Sequence, residues 1–378
     1  MKVYVDCVGC EQRKLDTQLT LDYLKANRIE IVESPLLCDY AIIITCAVDS
    51  LNERNSLSKI KDVYYDMPKS SKLFVRGCLP SISPKKLLEY EVSQTFSPRS
   101  METLDFIFSS NLKVHLSDIP YPNRSNFDFT EISGNQREMS PREEYEIAKN
   151  NFKIMINQGC LGNCSYCAIK NATGKLQSKP MKEIVEQFKY GVSRGEKTVM
   201  LIGGDTGAYG LDIGISFHTL LKELMKIPGE YEIFIHDFNV NWLIKDYANY
   251  NKLFGSDRNK LKSVNFPIQS GSDKILTAMR RPYKSEEALQ TIKQIKKHQP
   301  MKIGTHVMVG FPGETEEDFN LTVNFLEDAN FDFISCFPYS EHETTDSAKI
   351  PNKIETVAVN RRLSKIAERL GRKAKVHR

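Results

Sequence analysis

The chain has 378 residues, 40% hydrophobic and 26% charged, and no apolar run reaches the ~20 residues of a membrane-spanning helix. That composition excludes a helical membrane protein, a disordered scaffold and a small disulfide-stapled secreted domain. The net charge is only +4, but residues 352–378 hold nine Lys/Arg and two Asp/Glu, a local +7 that leaves −3 for the rest.

In chain order, short β-rich runs at 3–5, 40–44 and 73–75 alternate with helical apolar spacing at 15–26 and 51–65. This predicts an open, mostly parallel α/β (Rossmann-like) domain over residues 1–120. Cys10, Cys46 and Cys78 each lie just beyond one of these strands. Parallel sheets place ligands at the carboxyl ends of their strands, so the three thiols are expected at one edge as a cluster. The stretch 121–150 is polar, contains Pro and Gly and keeps no apolar period, and reads as a linker. Six strands are then expected at 152–157, 198–202, 231–236, 263–268, 302–309 and 331–337. Helices separate them at 181–194, 217–225, 242–251, 285–297 and 316–329. Six βα units with short connections predict a partial (βα)6 barrel over 151–350, with its working residues at the strand C-termini. Residues 351–378 read as a basic helix and tail, helical over about 356–369, solvated or available to a polyanion.

The N-terminus MKVYVDCVGC alternates like a strand and lacks a secretion signal, so a cytoplasmic location is expected. There, nine cysteines point to metal or redox use. After the first barrel strand stands NQGCLGNCSYCAIK, with Cys160, Cys164 and Cys167 spaced Cys-x3-Cys-x2-Cys. Three thiolates on one tight loop suit a cubane iron–sulfur cluster. A zinc site would need a fourth ligand, and the next residues offer no His or Cys. Cys7, Cys38 and Cys336 fall outside these sets and read as small buried thiols.

This spacing, with Tyr166 before the third cysteine, resembles the radical S-adenosylmethionine (SAM) superfamily. The resemblance implies a [4Fe-4S] cluster whose open iron binds SAM and cleaves it to a 5′-deoxyadenosyl radical that removes hydrogen from a C–H bond. Gly203 and Gly204, ending VMLIGGD, resemble the glycine motif that contacts the SAM amino group. GCEQRKLDTQ, CDYAIIITC and VRGCLP, DTGAYGLDIG, FPIQSGSDKILTAMRRPY and VGFPGETEEDF together resemble the methylthiotransferases of that superfamily, over nearly the whole chain. The resemblance implies a second, auxiliary [4Fe-4S] cluster on Cys10, Cys46 and Cys78. It also implies two uses of SAM and insertion of sulfur and a methyl group at a C–H position. Gln269 and Ser270 are expected at SAM or substrate, and Gly310 and Gly313 in a turn near the SAM adenine. Asp205 and Tyr209 are expected near the substrate entry. Ser272 reads as a helix cap, Trp242 as packing, and His236 as no metal ligand. HDFNVNWL at the third strand exit and Ile44 in ITC depart from the family forms.

Family members divide between a tRNA adenosine beside the anticodon and an aspartate of a ribosomal protein. DTGAYGLDIG most resembles the archaeal and eukaryotic branch acting on N6-threonylcarbamoyladenosine in tRNA, which makes tRNA the expected partner. A peptide or protein substrate is the runner-up, and a non-catalytic iron–sulfur protein the rival from another class. A reducing electron donor such as flavodoxin or ferredoxin is expected, and no membrane partner. The family's C-terminal TRAM domain is not expected in the residues after the barrel, which are too few for a strand-rich module of ~60 residues. Basic residues including Arg361 and Arg362 are therefore expected to reach phosphates in its place.

Overall fold

The structure is a computed structural model that describes residues 1–100, 102–127, 140–256 and 260–377. The chain divides into two compact units. One comprises Met1–Thr130 with Ala168–Gly174 and Glu341–Thr344; the other comprises Glu131–Cys167, Lys175–Ser340 and Thr345–Arg378.

In the first unit five parallel strands are described: β1 (Lys2–Cys7), β2 (Glu30–Val32), β3 (Tyr40–Thr45), β4 (Lys72–Gly77) and β5 (Val92–Phe96), in the spatial order β2-β1-β3-β4-β5. The sequence reading located the three central strands and missed the edges β2 and β5, which carry fewer buried apolar residues. Ile42, Ile43 and Ile44 are fully buried because layers cover both faces of β3. Their side chains alternate: Ile42 and Ile44 join one apolar cluster with Val3, Val5 and Leu19, while Ala41 and Ile43 join a second with Ile60 and Leu73. Each buried Ile, Val or Leu among them contributes about 1.5–3 kcal/mol. The helices Glu11–Ala26 and Ser50–Asp66 follow β1 and β3, the latter capped by the Asp49 carboxylate accepting from the Asn52 N–H at 2.7 Å.

The second unit holds seven described parallel strands: β6 (Phe152–Met155), β7 (Thr198–Ile202), β8 (Glu232–Ile235), β9 (Leu261–Asn265), β10 (Lys302–Val309), β11 (Phe333–Pro338) and β12 (Ala374–Val376). They pair in chain order with helices between them, and no pairing between β6 and β12 closes the ring. The open α/β barrel agrees with the expectation except at its last strand. The basic tail is a helix, Thr356–Leu370, followed by β12, which pairs with β11 at Ile334, Ser335 and Cys336. A three-residue strand of sequence Ala-Lys-Val has too short a pattern to be read as one. Part of the expected linker is also ordered: Pro141–Lys149 is a helix with Pro in its first turn and a Ser140–Glu143 capping box. Residues 128–139 of that stretch lie outside the described residues.

Candidate functional site

In the first unit β1, β3 and β4 lie side by side and run the same way, so their carboxyl ends share one edge. Cys10 stands at the N-cap of helix Glu11–Ala26, while Cys46 and Cys78 follow β3 and β4 directly. Backbone and side-chain bonds fix these positions. The Cys78 N–H donates to the Thr45 carbonyl at 3.0 Å. Ser56 receives the Cys46 N–H at 3.1 Å and donates to the Cys46 carbonyl at 2.7 Å. Thr45, where Ile44 departs from the family form, donates its hydroxyl to the Arg76 carbonyl at 2.7 Å, tying β3 to β4. The Cys46 thiol bonds to Cys10, which lowers Cys10 to about 6 and raises Cys46; the buried Arg13 guanidinium adds to the lowering. The pair thus favours a thiolate at Cys10 and a protonated thiol at Cys46. Burial pushes Cys7 the other way, to about 12.

In the second unit the segment after β6 carries Cys160, Cys164 and Cys167. The Gly162 N–H donates to Cys160 Sγ at 3.1 Å. A Cβ on Gly162 would stand 3.2 Å from Cys160 Sγ and 3.8 Å from Cys164 Sγ, so the glycine lets two thiols share the inside of the loop. Burial pushes Cys160 up to about 12, and Asp205, Cys164 and Cys167 add negative potential. Among the described residues no three His, Cys, Asp or Glu side chains are placed to ligate one metal ion. A cubane asks for a different arrangement, because each thiolate binds its own iron. The all-thiol donor set fits that group.

Arg281, from the RRPY motif, carries no signal of its own in the sequence, and the structure adds it to the site. It donates from Nη1 to Cys164 Sγ at 3.6 Å, from Nη2 to the Pro267 carbonyl at 2.7 Å and Asn239 Oδ1 at 3.3 Å, and from Nε to the Tyr283 hydroxyl at 3.0 Å. Its fork geometry joins the cysteine loop to the exits of β8 and β9. Tyr166 belongs to the same group: burial raises its pKa far above the usual value, against the pull of Arg281.

At the end of β7, a Cβ on Gly203 would lie 2.2 Å from Asn157 Oδ1, and one on Gly204 would lie 2.2 Å from the Gly159 carbonyl. The glycines therefore admit Asn157, which accepts the Gly204 N–H at 3.0 Å and donates to the Asp205 carbonyl at 2.9 Å. The Asp205 carboxylate receives Trp242 Nε1–H at 2.8 Å and the Asn239 N–H at 3.2 Å. Trp242 thus does more than pack, and Asp205 is committed to holding the β8 exit. Tyr209 is buried and donates to the Lys179 carbonyl at 2.9 Å, so it does not stand at an entry.

Gln269 has φ +74°, strained for a residue with a side chain, and its backbone bridges His306 and Met308 of β10. Ser270 is buried against Thr322 at 3.1 Å, a structural place rather than a ligand-facing one. Ser272 caps the helix Asp273–Ala278, accepting from the Ile275 N–H at 3.4 Å. Gly310 and Gly313 have φ +83° and +81°, and Glu314 receives the Gly310 N–H at 2.8 Å. Arg362 is buried and pairs with Glu314 at 2.7 Å, which removes it as a phosphate contact. Arg361 is exposed and pairs with Glu316 at 3.3 Å; Arg369 pairs with Glu327 at 2.5 Å. Two acids of helix Glu316–Ala329, Glu316 and Glu327, thus engage Arg361, Arg362, Lys365 and Arg369 of the basic tail.

The departure at HDFN builds a polar group at the β8–β10 exits. Asp237, at φ +49°, holds Asn265 Nδ2 at 3.0 Å, His236 Nδ1 at 3.1 Å and His306 Nδ1 at 3.7 Å. Its pKa is well below the usual carboxylate range, because His236 and His306 outweigh burial. His306 is lowered to about 4 by burial.

Residues 154–326 match the Radical SAM superfamily, and residues 2–96 match a family described as uncharacterised, UPF0004. A probable threonylcarbamoyladenosine tRNA methylthiotransferase of Methanocaldococcus jannaschii is 30% identical over 98% of this chain and 83% of its own. The chain belongs to the radical SAM methylthiotransferase family. The ribosomal protein uS12 methylthiotransferase RimO of Sulfurihydrogenibium sp. is likewise 30% identical, over 97% of this chain and 80% of its own. In fold, the chain resembles the radical SAM methyltransferase TsrM of Kitasatospora setae, at TM-score 0.63 and 12% identity, covering 92% of this chain and 77% of that one. Membership makes the protein an enzyme, sets aside the non-catalytic reading, and implies SAM and a [4Fe-4S] cluster. No described helix is long and apolar enough to cross a membrane.

Proposed function

We propose that this methylthiotransferase replaces a C–H hydrogen of N6-threonylcarbamoyladenosine, beside the anticodon of tRNA, with a methylthio group. The gathering of Cys160, Cys164 and Arg281 at the first strand exit carries the reaction class. Support for the substrate is DTGAYGLDIG together with the similarity to the probable threonylcarbamoyladenosine tRNA methylthiotransferases of Methanocaldococcus jannaschii and Pyrococcus horikoshii. Cys160, Cys164 and Cys167 would hold the SAM-binding cluster, and Cys10, Cys46 and Cys78 an auxiliary one. When bound, these groups supply SAM cleavage, hydrogen abstraction and sulfur delivery. The protein's own part is positional. Arg281 orients Cys164, and Gly203 and Gly204 with Asn157 fix the backbone offered to the SAM amino group. Asp205, through Trp242 and Asn239, holds the facing loop. A flavodoxin- or ferredoxin-like donor would supply electrons.

A ribosomal protein side chain is the second reading, favoured by the equally similar RimO relative and by the engagement of Arg361 and Arg369 with acids of the fold itself. The test is mass spectrometry of tRNA nucleosides from a host without its own methylthiotransferases, with and without this gene. A methylthiolated adenosine that appears only with the gene is the expected result. Its absence, with protein that carries iron and cleaves SAM, would transfer the assignment to the protein substrate.

A further inference from the structure

Arg13 lies three residues beyond Cys10 on the helix Glu11–Ala26, 1% exposed. A Cβ on Gly9 would stand 2.5 Å from Arg13 Cβ, so the glycine lets the arginine stem pass beneath the loop bearing Cys10. The guanidinium faces Asp16, Cys78, Cys10 and Tyr121. Among the described residues it pairs with Asp16 Oδ2 at 3.0 Å, and Nε, Nη1 and Nη2 find no hydrogen-bond acceptor of good geometry. Asp16 is itself shared, since Tyr121 donates to its Oδ1 at 2.9 Å. Arg76, also fully buried, adds a second cation to this layer and donates to Thr20 at 3.1 Å. Asp16 also lowers the cost of this second cation, so its charge is divided between the two guanidinium groups. A buried cation with unspent donors is expensive, and the fold tolerates it where an anion completes the site. A cubane on three thiolates is anionic and becomes more so on taking an electron.

We propose that Arg13 is the counter-charge of the Cys10–Cys46–Cys78 site, stabilising the auxiliary cluster there and raising the potential at which it accepts one electron from a reductant. The inference rests on the reading of those cysteines as cluster ligands. Arg13 is a positioning residue: no bond forms or breaks at it, and its charge is permanent.

The test uses the full chain with Cys160, Cys164 and Cys167 changed to Ala, reconstituted anaerobically with iron and sulfide. Retention of about four irons upholds the ligand reading, and their loss overturns that reading alone. Arg13→Gln, Arg13→Lys and Asp16→Asn are then added singly, and dithionite titration followed by electron paramagnetic resonance gives each midpoint. Arg13→Gln is expected to lower the reduced-to-oxidised ratio at fixed potential about tenfold, a shift of about 59 mV downward for one electron. Arg13→Lys should hold the midpoint near the parent, and Asp16→Asn should raise it. An unchanged midpoint in iron-replete Arg13→Gln, or equal shifts in the Gln and Lys variants, would overturn the proposal. If Arg13→Gln binds no iron, recovery of iron in Arg13→Lys supports the counter-charge and failure there refutes it.

Discussion

At the scale of single residues, the chemistry-bearing groups were legible and their supports were not. Cys160, Cys164, Cys167, Gly203 and Gly204 stand out by spacing and by their place after strands. Asn157 and Arg281 carry no such signal, because each acts through partners far along the chain: Asn157 on Asp205, Arg281 on Cys164. The dependence is testable at Gly203, where an added methyl would sit 2.2 Å from Asn157 Oδ1. Gly203→Ala forces Asn157 aside, and overpacking of this kind costs about 1–3 kcal/mol. SAM affinity, read by calorimetry on the reconstituted protein, is expected to fall at least about tenfold, the lower part of that cost. Unchanged affinity would mean that the glycine serves packing alone.

Among the elements, the C-terminal helix Thr356–Leu370 shows how charge misleads a linear reading. Its basic residues looked available to phosphate, but Arg362 faces inward and meets Glu314, with side chains 6% and 1% exposed. Burial pushes Glu314 up to about 7, and the Gly310 N–H and Arg362 oppose that rise. Arg362→Gln leaves the carboxyl buried without its cation and should cost about 3–5 kcal/mol. Arg361→Ala breaks a surface pair and should cost no more than about 1 kcal/mol. Urea denaturation of both variants checks the contrast; equal costs would refute an anchoring role for Arg362. Helical periodicity revealed the element and roughly its ends. Which face turns inward was settled by Val359, Leu363 and Ile366 packing on the core and by Glu314 waiting there for Arg362.

Over the whole molecule, the half-buried His306 links stability to pH. Its folded pKa, about 4, lies below the unfolded value of about 6.5 because burial outweighs the pull of Asp237. A base so depressed stabilises the fold fully above about pH 6.5. That contribution is lost as pH falls toward 4, where protonation favours the unfolded chain. The shift corresponds to roughly 3 kcal/mol at most. Urea midpoints at pH 7 and pH 4.5 should converge more in His306→Asn than in the parent, after the carboxylates common to both are subtracted. Equal pH dependence would rule out His306 as the linked group.

The sequence alone determined the α/β character of both units, their central strands, the two cysteine sets and the family they resemble. These depend on local periodicity, on spacing and on residue chemistry, all present in short windows of chain. Tertiary structure decided the edge strands β2, β5 and β12, the inward turn of Arg362, the buried Arg13 beside Cys10, and the meeting of Asp237 with His306. Each depends on what packs or pairs against it from a distant segment, and that information appears only when the strands are laid in order.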